Sequence, residues 1–242
     1  MLSGGLDSSI ITGVASQYVS KLATYSVDYQ DQEKYFQPYE YQTTRDDHYI
    51  EEMRLRYNTN HKTVTLSQKQ LVMALKESLI ARDAPGMADI DSSFLLFSKE
   101  ISQNHKVVLS GECADEIFGG YPWFYRKELT SIDGFPWMRE LDKRMELFSD
   151  DIKALNIKNY VLDKYHQTLN EIDYHDSTFE DENKRKMIYL NLEWFMQTLL
   201  TRGDSQTMRS SIELRVPFAN KEIISYLYNV PWHYMYHNDI EK

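Results

Sequence analysis

The chain begins with a glycine-rich loop that runs directly into a helical pattern. The loop reads Ser-Gly-Gly-Leu-Asp-Ser-Ser over residues 3–9. The apolar residues that follow it at helical spacing are Ile10, Ile11, Val14, Ala15, Tyr18 and Val19. A loop that opens a helix directs free backbone N–H groups and the positive end of the helix dipole towards one point, which favours a bound anion. The sequence therefore predicts a phosphate-type site at the start of the chain.

The residue types in this loop suit a phosphate together with a cation. Gly4 and Gly5 allow the backbone to approach a phosphate closely, and the hydroxyl groups of the three serines can donate to its oxygens. Asp7 would repel a phosphate unless a divalent cation bridged the two groups, so it is a predicted cation ligand. The alternative is an ordinary helix, capped by serine and aspartate, after a glycine turn.

The loop resembles the S-G-G-x-D-S signature of the ATP pyrophosphatases. These enzymes split ATP into AMP and pyrophosphate to adenylate a carboxyl or carbonyl oxygen, and they include the asparagine, GMP, NAD and argininosuccinate synthetases. The Walker sequence G-x-x-x-x-G-K-[ST] is absent. In the resembled family a buried strand normally leads into the loop, but only Met1 and Leu2 precede it here. We therefore expect a fragment of a longer chain.

Composition narrows the class of protein. The chain has 242 residues, of which 42% are hydrophobic and 26% charged, as in a globular protein that buries a core. Its net charge of −10 argues against a general nucleic-acid binder, because binding to phosphate backbones needs clustered lysine and arginine. The single cysteine, Cys113, excludes an internal disulfide and is consistent with the cytosol. No apolar run approaches the roughly 20 residues of a membrane span, so we expect a cytoplasmic protein with no nucleic-acid or membrane partner.

Strand and helix patterns alternate along the first half. Residues 22–29, 62–66 and 106–109 read as strands, and helical patterns separate them. This alternation predicts βαβ units and a parallel sheet. Ligands of such sheets bind at the carboxyl ends of the strands, where the glycine-rich loop would lie.

The second half reads differently. From about Trp123 the patterns are mainly helical, and we find no convincing strand. The predicted division is an α/β half over residues 1–122 and a mainly helical half over residues 123–242. In the first half, Ser67 is predicted to cap one helix, and Ser92 or Ser93 the next.

A second glycine-rich loop follows the third predicted strand. It reads S-G-E-C-A-D-E-I-F-G-G-Y over residues 110–121 and places three carboxylates within five residues. Glu112 and Asp115 are three residues apart, so they share one side if a helical turn starts there. Asp115 together with Asp7 could hold Mg²⁺, and Glu112 is placed to act as a general base or to bind an amine. The alternative is an acidic helix start favoured by the dipole.

This second loop is similar to the S-G-E-G-A-D-E-x-F-G-G-Y motif of the asparagine synthetase C-terminal domain, with Cys113 where that family usually has glycine. A third segment, residues 202–218, contains R-G-D, then a methionine, then S-I-E-L-R-V-P-F. It resembles the family's R-x-D-x-x-x-M-x-x-S-x-E-x-R-V-P-F-L-D, with Ala219 and Asn220 replacing Leu-Asp. The three motifs occur in the family's order and cover nearly the whole chain.

The resemblance implies a fold and an activity. The implied fold is α/β, with a doubly wound, mainly parallel sheet of the adenine nucleotide alpha hydrolase-like (ATP pyrophosphatase) type, followed by a helical half. The implied activity is ATP-dependent amidation of aspartate to asparagine through β-aspartyl-AMP, with ATP and Mg²⁺ as cofactors and ammonia as the second substrate. Full-length members carry an N-terminal glutaminase domain that supplies ammonia; it is absent from these 242 residues. A homodimer is a further expected assembly.

The resemblance also assigns ATP and metal ligands. The residues expected to bind ATP and its pyrophosphate are Leu2, Ser3, Gly4, Gly5, Leu6, Asp7, Ser8, Ser9, Val27, Ser110 and Gly111. The adenine is expected near the strand around Val27, with backbone contacts from Leu2, Ser110 and Gly111. Asp7 and Asp115 are the expected metal ligands.

Three residues are expected to act in catalysis. Glu112 would contact the intermediate or ammonia. Lys242 reaches the place of a family lysine that neutralises charge at the α-phosphate, the alternative being a surface lysine. Arg215 either contacts the substrate or pairs with Glu213 or Asp204.

Some interpretations remain open. A related enzyme on the same fold could amidate another carboxylate or close a lactam, and its loops would look alike. A non-catalytic fragment that acts as a binding or assembly module is the rival from another class. Asp89 and Asp91 resemble the family's acidic loop before the third helix, where they would line the amino-acid pocket, and helix capping is the alternative.

Overall fold

The computed structural model describes residues 1–38, 44–174, 178–238 and 240–241. The helices are α1 (Leu6–Ala15), α2 (Gln32–Tyr35), α3 (Asp47–Tyr57), α4 (Gln68–Arg82), α5 (Ala88–Ser102), α6 (Ala114–Phe118), α7 (Lys127–Thr130), α8 (Leu141–Glu146), α9 (Asp150–Lys153), α10 (Ile157–Leu169), α11 (Phe179–Leu190), α12 (Met196–Arg209) and α13 (Lys221–Asn229). The strands are β1 (Ala23–Tyr29), β2 (Asn60–Leu66), β3 (Val107–Leu109), β4 (Glu213–Arg215), β5 (Tyr236–His237) and β6 (Ile240–Glu241). Across these described ranges, no helix is long and apolar enough to cross a membrane.

The chain divides into two compact units, each built from two stretches of sequence. Unit 1 comprises residues 1–112 and 198–220, and unit 2 comprises residues 113–197 and 221–242. These units interleave along the sequence, whereas the predicted halves are continuous. The assignment of domains therefore stays a prediction.

The strands of unit 1 pair in parallel. β1 pairs with β2 in register from Ala23 opposite Asn60 to Tyr29 opposite Leu66. β3 pairs with β4, with Val108 opposite Leu214. In the described part of the chain these are separate two-stranded sheets. The predicted α/β class with parallel strands is confirmed.

The first two residues lie between these two sheets. The backbone nitrogen of Leu2 donates to the carbonyl of Tyr25 in β1 at 2.8 Å. The amino group of Met1 donates to the carbonyl of Leu109 in β3 at 2.7 Å. A cavity of about 230 Å³ lies beside them, lined by residues of α1, β1, α5 and β3. The start of the chain thus links the edges of β1 and β3.

The core of unit 1 lies on the α5 side of these strands. Its buried members are Tyr25, Val64, Leu66, Phe97, Ile101, Val108 and Ile212. Helix α12 is fixed to α4 by Gln206, whose buried side-chain amide donates to the carbonyl of Ser78 at 2.9 Å. Helix α4 starts with a capping box between Ser67 and Gln70, as predicted for Ser67.

Unit 2 is mainly helical and has an aromatic core. Its buried members are Phe124, Phe135, Tyr165, Met187, Ile188 and Leu190. A π-helical turn over Asn191–Phe195 joins α11 to α12. The ammonium group of Lys184, a fully buried residue of α11, donates to the carbonyls of Leu227, Tyr228 and Val230 at the end of α13. These donors satisfy carbonyls that the end of a helix otherwise leaves without partners.

Two sequence predictions about elements are wrong. The second half does contain a strand in unit 1: β4 is only three residues long, and it forms because β3 offers an open edge about a hundred residues away. Helix α5 begins at Ala88 with Met87 as its N-cap residue, so Ser92 and Ser93 lie inside the helix and not at its start. The hydroxyl of Ser93 instead donates to the carbonyl of Ile90, three residues earlier.

Candidate nucleotide site

The glycine-rich loop is held in shape by Ser8. The backbone nitrogen of Ser3 donates to the Ser8 hydroxyl at 3.1 Å, and that hydroxyl donates to the carbonyl of Gly5 at 3.1 Å. Ser8 is buried, and Thr12 donates to its carbonyl one turn further along α1. The Ser8 hydroxyl therefore fixes the shape of the loop.

Gly4 lies against the start of α3. Its φ of +83° is in the left-handed region that favours glycine. A Cβ added there would lie 2.9 Å from the Cβ of Tyr49 and 3.1 Å from both the Asp46 carbonyl and the Ile50 nitrogen. The loop can pass this close to α3 only because residue 4 has no side chain.

The first turn of α1 is available to an anion. Gly5 is the N-cap residue, and in the described structure no side chain caps the helix. Asp7 lies in this first turn, and the flanking Ser3 is exposed. Uncapped N–H groups at a helix start are suitable for binding phosphate oxygens. The predicted loop-into-helix arrangement is present.

Gly111 brings the second glycine-rich loop onto the first. A Cβ added at Gly111 would lie 2.8 Å from the backbone nitrogen of Ser8 and 3.1 Å from the carbonyl carbon of Asp7. The second loop is positioned from the sheet, because the nitrogen of Ser110 donates to the carbonyl of Arg215 at 3.0 Å. Two motifs about a hundred residues apart therefore meet at the first turn of α1.

Leu2 and Val27 are both connected to strand β1. Leu2 is buried and bonded to β1, and Val27 lies in the same strand, two residues beyond Tyr25. The side chain of Val27 is partly exposed. Unit 1 thus contains all the residues predicted to bind ATP, while their binding role stays a prediction.

Glu112 has a partner that the sequence analysis missed. Its Oε1 accepts a hydrogen bond from Nη2 of Arg202 in α12 at 2.5 Å, and its backbone nitrogen donates to the Ser110 hydroxyl at 3.2 Å. Arg202 is the first residue of the third motif, so the sequence shows that an arginine stands there. Only the fold brings this arginine to Glu112, 90 positions away in the sequence.

The structure gives less information about the other catalytic candidates, Arg215 and Lys242. Nε of Arg215 donates to Oε1 of Glu213 at 2.8 Å in an exposed pair, which corresponds to the structural alternative. This bond raises the pKa of the Arg215 guanidinium. Lys242 lies outside the described residues. Asp91 is buried with an Arg82 nitrogen 3.8 Å from its carboxylate, and the side chain of Asp89 is not described.

Asp115 belongs to unit 2, whereas Asp7 belongs to unit 1. Asp115 lies in the short helix α6, and its carbonyl accepts from the nitrogens of Gly119 and Gly120. Among the described residues, no group of three or more His, Cys, Asp or Glu side chains is arranged to hold a metal. The shared magnesium site of Asp7 and Asp115 stays a prediction.

The backbone of α6 explains why glycine is usual at position 113. Cys113 is the N-cap residue of α6, with a φ of +71°. Its side chain is buried. A residue with a side chain is strained in this region, and glycine is not.

Comparisons with known proteins agree with the motifs. The family model described as "Asparagine synthase" matches residues 1–242. The chain is 47% identical over 248 residues to "Asparagine synthetase [glutamine-hydrolyzing] 3" of Bacillus subtilis, covering 100% of this chain and 40% of that relative. It is 26% identical to "Asparagine synthetase [glutamine-hydrolyzing] 1" of the same organism, covering 95% of this chain and 40% of the relative. The chain thus spans about 40% of the length of these curated relatives, and it belongs to the asparagine synthase family of enzymes.

Proposed function

We propose that this chain carries out ATP-dependent amidation of aspartate to asparagine, with release of AMP and pyrophosphate. The observation that carries the proposal is the contact between Gly111 and the first turn of α1 at Ser8. This contact places the two family motifs around one set of uncapped helix N–H groups. The names of the relatives support aspartate as the substrate over the related lactam-forming or amide-forming enzymes.

The proposed nucleotide site lies within unit 1. The loop from Ser3 to Ser9 and the start of α1 bind the pyrophosphate portion, because backbone N–H groups and the helix dipole stabilise negative charge there. The adenine lies near Val27, with backbone contacts from Leu2, Ser110 and Gly111. Charge that develops on the leaving pyrophosphate is stabilised by donors that the fold has already oriented.

In the proposed reaction the side-chain carboxylate of aspartate attacks the α-phosphorus of ATP. The bond from this phosphorus to the pyrophosphate oxygen breaks, which gives β-aspartyl-AMP. Ammonia then attacks the acyl carbon, AMP leaves with the former carboxylate oxygen, and the nitrogen loses a proton to give the amide. Glu112 is the proposed contact for the intermediate or ammonia, Lys242 the proposed partner of the α-phosphate, and Arg215 a further catalytic candidate.

Mg²⁺ is the proposed metal, held by Asp7 and Asp115. The donor set fits, because protein sites for Mg²⁺ commonly supply one or two carboxylates and leave the remaining positions to phosphate oxygens and water. When bound, the ion would neutralise phosphate charge. Asp7, in the first turn of α1, is the residue on which this role depends most.

We also propose that β1–β4 belong to one doubly wound parallel sheet of the ATP pyrophosphatase type. The support is the position of residues 1 and 2, which bond to β1 on one side and β3 on the other. The resulting strand order is β2, β1, residues 1–2, β3, β4. This order places the glycine-rich loop at the carboxyl ends of central strands, where nucleotides bind in such sheets.

A glutaminase domain is the proposed source of ammonia in longer relatives, whose names include "glutamine-hydrolyzing". A homodimer is a second proposed assembly, and a cytoplasmic location follows from the family resemblance and the single cysteine. With ammonium supplied in solution, the synthetase reaction can be measured without the glutaminase domain.

The test is release of AMP and pyrophosphate from ATP with Mg²⁺ and ammonium, with and without aspartate. We expect AMP in the presence of aspartate, in equal amount to asparagine. Release that responds to a different carboxylate would reassign the substrate, and bound ATP without turnover would favour the non-catalytic fragment. Asp7→Asn should abolish turnover and leave the thermal unfolding midpoint nearly unchanged, and Asp150→Asn, which changes an exposed aspartate in the first turn of α9, is its control.

A further inference from the structure

The pair formed by Glu112 and Arg202 is the interaction in unit 1 that the motifs leave unexplained. The side chains are only 23% and 12% exposed. Among the described residues, Arg202 is the one cation within ion-pair distance of Glu112. The two residues come from different motifs, so their contact is a product of the fold.

The pair is incompletely bonded. Oε2 of Glu112 and Nε of Arg202 are both buried, and neither has a hydrogen-bond partner in the described structure. A carboxylate with one buried, unpartnered oxygen is costly unless a cation compensates its charge. The guanidinium of Arg202 provides this compensation through Oε1.

Gly203 allows this arrangement. A Cβ at Gly203 would lie 2.6 Å from Cδ2 of Leu214 and 3.5 Å from Oε2 of Glu112. Helix α12 therefore packs closely against the Leu214 side chain of β4, because residue 203 has no side chain of its own, and Arg202 is brought to the loop after the neighbouring strand β3. The backbone of Glu112 is also held, because its nitrogen donates a hydrogen bond to the Ser110 hydroxyl. Backbone and side chain of Glu112 are thus both fixed.

We propose that Arg202 is a positioning residue that holds the Glu112 carboxylate in one orientation. The inference rests on the proposed function, in which Glu112 contacts the acyl intermediate or ammonia. Arg202 acts through Glu112 and not on ATP, since Nη2 of its guanidinium is bonded to the carboxylate. Removing its charge leaves the Glu112 carboxylate without its cation, so the carboxylate turns towards water and loses its contact with the nitrogen nucleophile.

The experiment compares Arg202→Gln, Arg202→Lys and a matched control, Arg209→Gln. Arg209 lies on the same helix, where it forms an exposed pair with Glu77. For each protein, KM for ammonium, KM for ATP and kcat are measured under saturating aspartate. We expect Arg202→Gln to reduce kcat/KM for ammonium by about 10- to 100-fold, the scale on which misplacement of a reacting group acts. KM for ATP should be unchanged, Arg202→Lys should recover part of the loss, and Arg209→Gln should behave as the unsubstituted chain.

A second readout does not need turnover. Carbodiimide coupling of glycinamide to carboxylates, followed by peptide mass spectrometry, measures how accessible the Glu112 carboxylate is to the reagent. We expect several-fold more labelling of Glu112 in Arg202→Gln than in Arg209→Gln. If Arg202→Gln does not fold, Arg202→Lys is compared with Arg209→Gln in the same two assays, and an intermediate effect is expected.

Two results would overturn the inference. One is an unchanged kcat/KM for ammonium in Arg202→Gln. The other is a rise in KM for ATP by the same factor as the loss of kcat/KM for ammonium, which would indicate general disruption of the site. Failure of the proposed function is recognised separately, because the unsubstituted chain would then form no AMP with aspartate while Glu112 labelling would still report on the pair.

Discussion

The backbone nitrogen of Ser8 lies only 2.8 Å from the point where a Cβ on Gly111 would be placed. Ser8 belongs to the first turn of α1 and Gly111 to the loop after β3, so this contact joins the two motifs that define the proposed nucleotide site. The absence of a side chain at residue 111 is therefore a structural requirement of the site.

Gly111→Ala is expected to destabilise unit 1, because the added methyl group would press on backbone atoms that cannot move aside cheaply. Overpacking of this kind costs about 1–3 kcal/mol. The measurement is urea unfolding followed by circular dichroism. Gly5→Ala is the matched control, since a Cβ there would meet only the Ser3 hydroxyl, at 3.5 Å. Equal stability of the two variants would contradict the contact.

Cys113→Gly is expected to be tolerated, because glycine relieves the strain of a φ of +71° while a buried side chain is lost. Each effect is about 1 kcal/mol, and the two oppose each other. Cys113→Ala loses the sulfur without relieving the strain, so it should be less stable than Cys113→Gly. Comparing their urea midpoints checks this, and the reverse order would rule out backbone strain at this position.

Lys184→Met is expected to destabilise unit 2 by about 3 kcal/mol, because three buried or partly buried carbonyls at the end of α13 lose their donor. Burial lowers the pKa of the Lys184 ammonium to about 8, yet its hydrogen bonds to carbonyls require a donor there. Lys164→Met on α10 is the control, since the partners of its ammonium, the side chains of Gln167 and Tyr160, are both exposed. Thermal unfolding of the two variants measures the difference, and matching midpoints would show that the carbonyls find other partners.

Local signals predicted the elements that depend on nearby residues. The periodicity around residues 22–29 and 62–66 identified β1 and β2, and Ser67 identified the start of α4. The short strand β4 was missed, because three residues carry little periodicity and its partner β3 is distant in sequence. The cap expected at Ser92 or Ser93 failed because Ala88 already begins α5.

The same distinction applies to the site. The glycine-rich segments identified the loops, because the glycines and serines suited to phosphate binding lie within a few positions of each other in the sequence. The contact of Gly111 with Ser8 and the ion pair of Glu112 with Arg202 depend on tertiary packing, so no local pattern could reveal them. The position of Gly4 against Tyr49 is a third case, in which a glycine is required by a helix about 45 residues away.

The most direct measurement uses aspartate labelled with ¹⁸O in its side-chain carboxylate, incubated with ATP, Mg²⁺ and ammonium. If this carboxylate attacks the α-phosphorus and ammonia later displaces AMP, one labelled oxygen must remain in the phosphoryl group of AMP. The account predicts singly labelled AMP, unlabelled pyrophosphate and an equal amount of asparagine, as read by mass spectrometry. Unlabelled AMP, or ADP with labelled phosphate, would contradict adenylation of aspartate at this site.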